Sequence, residues 1–115
     1  MSPLNITRHT TPTGPLLEVA GELDYEHSSV LREQVERLLL SPGQQLVIDL
    51  SGLAFCDSTG ISVLLAARQR AQDAGAETVL VAVPAQTLRI FAIVGLDQVF
   101  TIRPTRPGGD VAPAP

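Results

Sequence analysis

An α/β domain built on one mixed sheet is predicted by three features of the sequence. Two short, almost unbroken apolar runs, QLVIDL (45–50) and TVLVAV (78–83), have the character of strands buried on both faces, which suits the interior of a parallel sheet. Between them, STGISVLLAARQRAQDAG repeats Ile61, Leu64, Leu65, Ala67 and Ala71 at helical spacing. Near the start, two extended runs flank the turn-rich TPTGP (11–15), the pattern of neighbouring antiparallel strands.

LNIT (4–7) alternates apolar and polar residues, as a half-buried strand does, and LLEVAGEL supplies its partner. From about Tyr25 the period lengthens: Val30, Leu31, Val35, Leu38 and Leu39 recur at helical spacing, opposite Arg32, Glu33, Glu36 and Arg37. Asp24, His27 or Ser28 is placed to cap that helix, and Ser41-Pro42-Gly43 stops it. QLVIDL, the central helix and TVLVAV then form a β-α-β unit, with Gly75 as the C-cap of the helix. Pro84 opens a third helical segment, with Leu88, Phe91 and Val94 inward and Gly95 at its end. QVFTI reads as a last strand. The predicted order is β-β-α-β-α-β-α-β, one mixed sheet with helices packed against it. The domain is expected to occupy residues 1–102, and the Pro/Gly-rich RPTRPGGDVAPAP (103–115) to be a disordered tail.

Composition narrows the function classes. A chain of 115 residues with 44% hydrophobic content fits one domain with one ordinary core. The net charge is −4, and all eight basic residues are scattered arginines. Aromatic residues make up 3%, so neither the basic patch nor the stacking platform of a nucleic-acid binder is present in the pattern. MSPLNITRHT has no secretory h-region, and no apolar run reaches the length of a membrane helix. A soluble, cytoplasmic protein with no nucleic-acid or membrane partner is the expectation. The single cysteine, Cys56, has no partner for an internal disulfide and no metal-ligand spacing around it.

The stretch Phe55-Cys56-Asp57-Ser58-Thr59-Gly60 stands where strand pattern gives way to helix pattern. CDSTG differs from the nucleophile elbow G-x-S-x-G only in its first residue, but that chemistry needs an acid and a histidine later in the chain. His9 and His27, the only histidines, both precede Ser58. Cys56 lacks the following arginine of a thiolate phosphate loop and reads as a small residue packed at a strand end. Asp49 and Asp57 match no metal spacing and read as lone surface carboxylates, and STGIS is not a phosphate cradle. The sequence offers no catalytic set and no cofactor motif, so the protein does not read as an enzyme. Ser58 fits a helix N-cap, worth about 1 kcal/mol.

Three stretches add a second reading. VAGELDYEHSSVLREQV, LVIDLSGLAFCDSTGISVLLAARQRAQDAGAETVLV and RIFAIVGLDQVF resemble the anti-sigma factor antagonists of the STAS domain family, over about residues 4–102. The Asp57-Ser58-Thr59-Gly60 motif after IDLSGL is the most specific element, and GELD (21–24) the second. The resemblance implies that Ser58 is phosphorylated by a partner anti-sigma factor that is also a serine kinase using ATP. The unphosphorylated antagonist would bind that partner and free a sigma factor for RNA polymerase, and a separate phosphatase would reset the switch. Asp57, Thr59 and Gly60 would flank the acceptor, and Asp24 would lie near it and meet a basic residue of the partner.

Two departures from the family pattern accompany the resemblance. Members commonly continue into a C-terminal helix, which RPTRPGGDVAPAP cannot form. A patch of surface is then left open, or another chain covers it, which makes a homodimer an expectation to test. Cys56 stands where a bulkier apolar residue would be expected. The rival reading is a soluble STAS adaptor subunit of a transport or sensory complex, in which Ser58 is not phosphorylated.

Overall fold

Strand β1 (Asn5–Thr11) turns through Pro12 and Thr13 into β2 (Gly14–Leu23), and the two pair antiparallel from Asn5 opposite Ala20 to Thr11 opposite Gly14. The molecule is a computed structural model that describes residues 3–106. Helix α1 (Ser28–Glu36) follows, then β3 (Gln45–Cys56), α2 (Ser58–Asp73), β4 (Glu77–Val81), α3 (Ala85–Ile93), a short 3-10 turn (Leu96–Gln98) and β5 (Thr101–Arg103). The strands lie in sequence order across one sheet, with β2 to β5 mutually parallel. The predicted mixed sheet and element order are therefore observed.

Tertiary packing moves several boundaries. β1 continues four residues past LNIT because each of them pairs with β2. β3 does not end at Leu50 but runs on through SGLAFC, pairing with β2 up to Cys56 opposite Leu23. The last strand is shorter than QVFTI, since Leu96–Gln98 coil into the 3-10 turn and only Thr101–Arg103 pair with β4. Arg103 thus belongs to the sheet rather than to the tail, and residues 107–115 of the expected tail lie outside the described residues.

One face of the sheet carries the core. Leu31 and Val35 of α1, Val63, Leu64 and Ala67 of α2, and Phe91 of α3 cluster with Leu17, Val19, Leu46, Ile48, Leu50 and Leu80 of the strands. All three helices are therefore on the same face. The helical stripes are rotated from the sequence pattern in places. Val30, Leu39, Leu65, Leu88 and Val94 are exposed, while α3 turns Thr87 and Phe91 inward. Gly75 adopts a left-handed φ of +78° just beyond α2, and Ala76 N–H reaches back to the Ala71 carbonyl, which closes that helix end.

Candidate functional site

The parallel pairing of β2 with β3 delivers the ends of both strands to one edge of the sheet, where α2 begins. Asp57, not Ser58, is the N-cap of α2. Its backbone is extended (φ −105°, ψ −172°), and its Oδ1 accepts the Gly60 amide at 3.0 Å. A carboxylate is a stronger acceptor for that orphan N–H than a hydroxyl and also meets the positive end of the helix dipole. The cap reading of Ser58 is corrected accordingly, and so is the reading of Asp57 as a lone surface carboxylate. Asp57 Oδ2 accepts the Tyr25 amide at 3.0 Å, and its own amide donates to the Leu23 carbonyl. One side chain thus ties the β2–α1 loop to the start of α2.

Ser58 follows as the first residue of the helix, and it is exposed. No side-chain hydrogen bond engages its hydroxyl among the described residues, and neither histidine attends it. His27 Nδ1 is 2.8 Å from Asp24, and His9 Nε2 is 2.9 Å from Glu18. The amides of Ser58 and Thr59 have no partner among the described residues either, as the first N–H groups of a helix cannot be paired within it. A free hydroxyl, two free amides and a helix N-terminus therefore coincide.

Gly60 is buried where α2 crosses the end of β2. A Cβ there would stand 2.3 Å from the Leu23 carbonyl oxygen, 2.8 Å from Leu23 Cγ and 3.0 Å from Cys56 Sγ. The glycine of the motif is thus required by contact rather than by a left-handed backbone. The same crowding gives a physical reason for Cys56, because a larger side chain at that position would press on the helix start. Burial, reinforced by the charge of Asp57, pushes the Cys56 thiol up to about 12. It packs at the strand end as a small side chain, as the sequence predicts.

Asp24 is half-buried and accepts both the His27 amide (2.9 Å) and His27 Nδ1 (2.8 Å) on its Oδ1. Partial burial opposes its ionisation, but the bonds from His27 outweigh it and hold the carboxyl below its ordinary range. Its Oδ2 takes no hydrogen bond among the described residues. The structure joins Asp24 to the motif through a single peptide: the amide of the next residue, Tyr25, is the one held by Asp57. Thr59 is half-buried and makes no side-chain hydrogen bond among the described residues.

Two flanking residues were not singled out by sequence. The chain has four aromatic residues, of which Phe91 and Phe100 are buried. The other two, Tyr25 (82% exposed) and Phe55 (52% exposed), border the Asp57–Ser58 corner in the chain. Their spacing around GELD and DSTG was the available signal. Glu22, Asp24 and His27 bring three ligand-type atoms within 4.8 Å of one another, although no metal spacing is visible in the sequence and His27 Nδ1 is already bonded to Asp24. Asp49 lies away from this corner. It is buried and paired with Arg106, a correction to its reading as a surface carboxylate.

The family model described as "Mlab, STAS domain" matches residues 6–104, so the chain belongs to the STAS domain family. It is 32% identical over 85 residues to the anti-sigma-B factor antagonist of Listeria monocytogenes, covering 74% of this chain and 75% of that protein. It is 30% identical over 93 residues to the anti-sigma-B factor antagonist of Bacillus subtilis, covering 81% and 84%. The fold is also that of the anti-sigma factor antagonist SpoIIAA in its unphosphorylated form, with a TM-score of 0.72 and 16% identity over 89% of this chain and 90% of that one.

Proposed function

We propose that this protein is an anti-sigma factor antagonist whose interface is switched at Ser58. Unphosphorylated, it binds an anti-sigma factor that is also a serine kinase, and a sigma factor is released. That kinase transfers phosphate from ATP to Ser58 and so ends the interaction, and a phosphatase restores it. The setting is the cytoplasm, where sigma factors meet RNA polymerase. The observation that carries this reading is the division of labour at the start of α2. Asp57 performs the capping, and the exposed Ser58 hydroxyl makes no hydrogen bond among the described residues.

The chemistry of the corner supports the direction of the switch. Phosphate adds about −1.5 to −2 charge at neutral pH. The fold tolerates it, because the free Ser58 and Thr59 amides and the helix dipole favour an anion. A partner surface shaped for a neutral hydroxyl does not, because Asp57 and Asp24 already make the corner acidic and the added charge must be desolvated. Asp24 Oδ2 is available to a basic residue of the partner, and Tyr25 and Phe55 are the apolar contacts beside it.

The test is capture of partners from the source cell with Ser58→Ala and Ser58→Glu baits. An ATP-binding, kinase-like protein retained by the first and lost by the second supports the proposal. Equal recovery of the same transporter or sensor components by both baits sinks the switch and favours a STAS adaptor.

A further inference from the structure

Helix α3 is inverted for a helix at a protein surface. Thr87 is buried beside Phe91, while Ile93 (78% exposed), Val94 (57%) and Ile90 (45%) face solvent. Ile93 and Val94 follow Ile90 by three and four residues, so the three share one face as an apolar strip. Leu88 and Val99 are exposed too, and with them five of the ten exposed large apolar side chains among the described residues fall within residues 88–99. Single exposed apolar residues are ordinary, but such a concentration marks a contact surface. Only Gln86, Thr87 and Arg89 of α3 are polar, and a helix that is apolar around most of its circumference is normally covered.

We infer that a second copy of this chain covers this face, with the two α3 helices packed antiparallel about a two-fold axis at Ile93. The charges beside the strip favour a copy over an unrelated partner. Arg89 precedes Ile93 by four residues and Asp97 follows it by four. Both are exposed, and neither joins an ion pair among the described residues. A two-fold contact must be self-complementary. Antiparallel packing about Ile93 brings Arg89 of each copy toward Asp97 of the other, which places two opposite-charge pairs around an apolar centre, the ordinary anatomy of an interface. Three aliphatic side chains expose far less than the about 800 Å² that each partner buries in a standard interface, so the dimer should dissociate on dilution. The contact also stands apart from Ser58. β3 and β4 are parallel and end at the same edge of the sheet, where α2 and α3 begin, and α3 then runs back toward the edge where β5 starts. Two copies joined at Ile93 therefore leave both Ser58 corners open.

The experiment is sedimentation equilibrium of the full chain over a wide range of concentrations. Ile93→Asp, Arg89→Asp, Asp97→Arg and the double exchange of Arg89→Asp with Asp97→Arg are run alongside. The parent should pass from one chain toward two as it is concentrated. Ile93→Asp should weaken that association at least about a hundredfold, because it sets two carboxylates against each other in the apolar centre. Each single charge reversal should weaken it roughly tenfold by placing like charges across the axis, and the double exchange should recover most of that loss. All three positions are exposed, so the variants should melt with the parent; should Ile93→Asp melt early, the charge exchange decides alone. A chain that stays single at every concentration overturns the inference, whether its own residues or a different protein then shield Ile93. So does a dimer that a folded Ile93→Asp leaves intact, or one whose charge reversals the double exchange fails to rescue.

Discussion

Gly60→Ala adds one methyl group at the most crowded point of the site, and its cost can be worked from the contacts. The new Cβ would lie 2.3 Å from the Leu23 carbonyl oxygen, whereas ordinary contact begins at 3.4 Å. Relief requires the start of α2 and the end of β2 to separate by about 1 Å, because the obstacle is backbone and cannot rotate away. That carbonyl also accepts the Asp57 amide at 3.2 Å, so the movement strains the capping residue as well. Overpacking of this kind costs about 1–3 kcal/mol, and a rigid obstacle argues for the upper end. Replacing a helical glycine by alanine returns up to about 1 kcal/mol. The net expectation is about 2 kcal/mol, which in a domain of this size lowers the melting temperature by about 10 °C. Urea and thermal unfolding followed by circular dichroism measure it. Gly43→Ala is the comparison, since nothing lies within 4 Å of its added Cβ and only the left-handed φ of +85° opposes it, worth about 1–2 kcal/mol. A Gly60→Ala variant as stable as the parent would refute the contact argument for the motif glycine.

Other perturbations test the remaining parts. Asp57→Ala should lose about 1–2 kcal/mol, because it removes the cap of α2 and the acceptor for Tyr25 N–H, whereas Ser58→Ala should stay within about 0.5 kcal/mol of the parent in the same unfolding assay. Glu18 is held below its ordinary range by its bonds to His9 and Arg106; Asp49 is held below its own by the Ser51 amide and Arg106, which outweigh its burial. Both folded values are depressed, so their stabilisation is present above the unfolded carboxylate range near pH 4 and is lost as pH falls through the folded values. The urea midpoint measured from pH 6 downward should therefore fall, and Arg106→Gln should flatten that acid limb. Cys56, with its thiol raised to about 12, should react with a disulfide reagent at pH 8 far more slowly in the native state than in urea. Phe55→Ala and Tyr25→Ala should leave melting nearly unchanged while weakening binding to the captured partner by at least about tenfold each, the usual scale for interface anchors.

Much of this architecture was legible because it rests on short-range pattern. QLVIDL and TVLVAV announce buried parallel strands, and the helical repeat between them reports α2 directly. What the pattern could not show depends on partners distant in sequence. β3 extends to Cys56 because β2 continues beside it, and Asp49 is buried because Arg106, 57 residues later, reaches it. At the site, the family resemblance picks out Ser58, but it cannot say which neighbour caps the helix. Asp57 and Ser58 are both good caps by residue type, and the extended backbone at Asp57 decides between them. Residue type alone does not distinguish Tyr25 and Phe55 from core aromatics; only the fold places both outside the core. The stripe of α3 departs from the sequence pattern for a related reason: a nine-residue helix leaves too few turns to fix its inward face, and Thr87 takes the place predicted for Leu88.

The most direct test of the Ser58 switch is a pair of titrations with the partner recovered by the Ser58→Ala bait. One uses the unmodified chain and the other the chain phosphorylated at Ser58, with thermal melts run alongside. The two forms should melt at nearly the same temperature, because the phosphate would sit at an exposed helix N-terminus, and only the unmodified form should bind. Equal affinities for the two forms would contradict it.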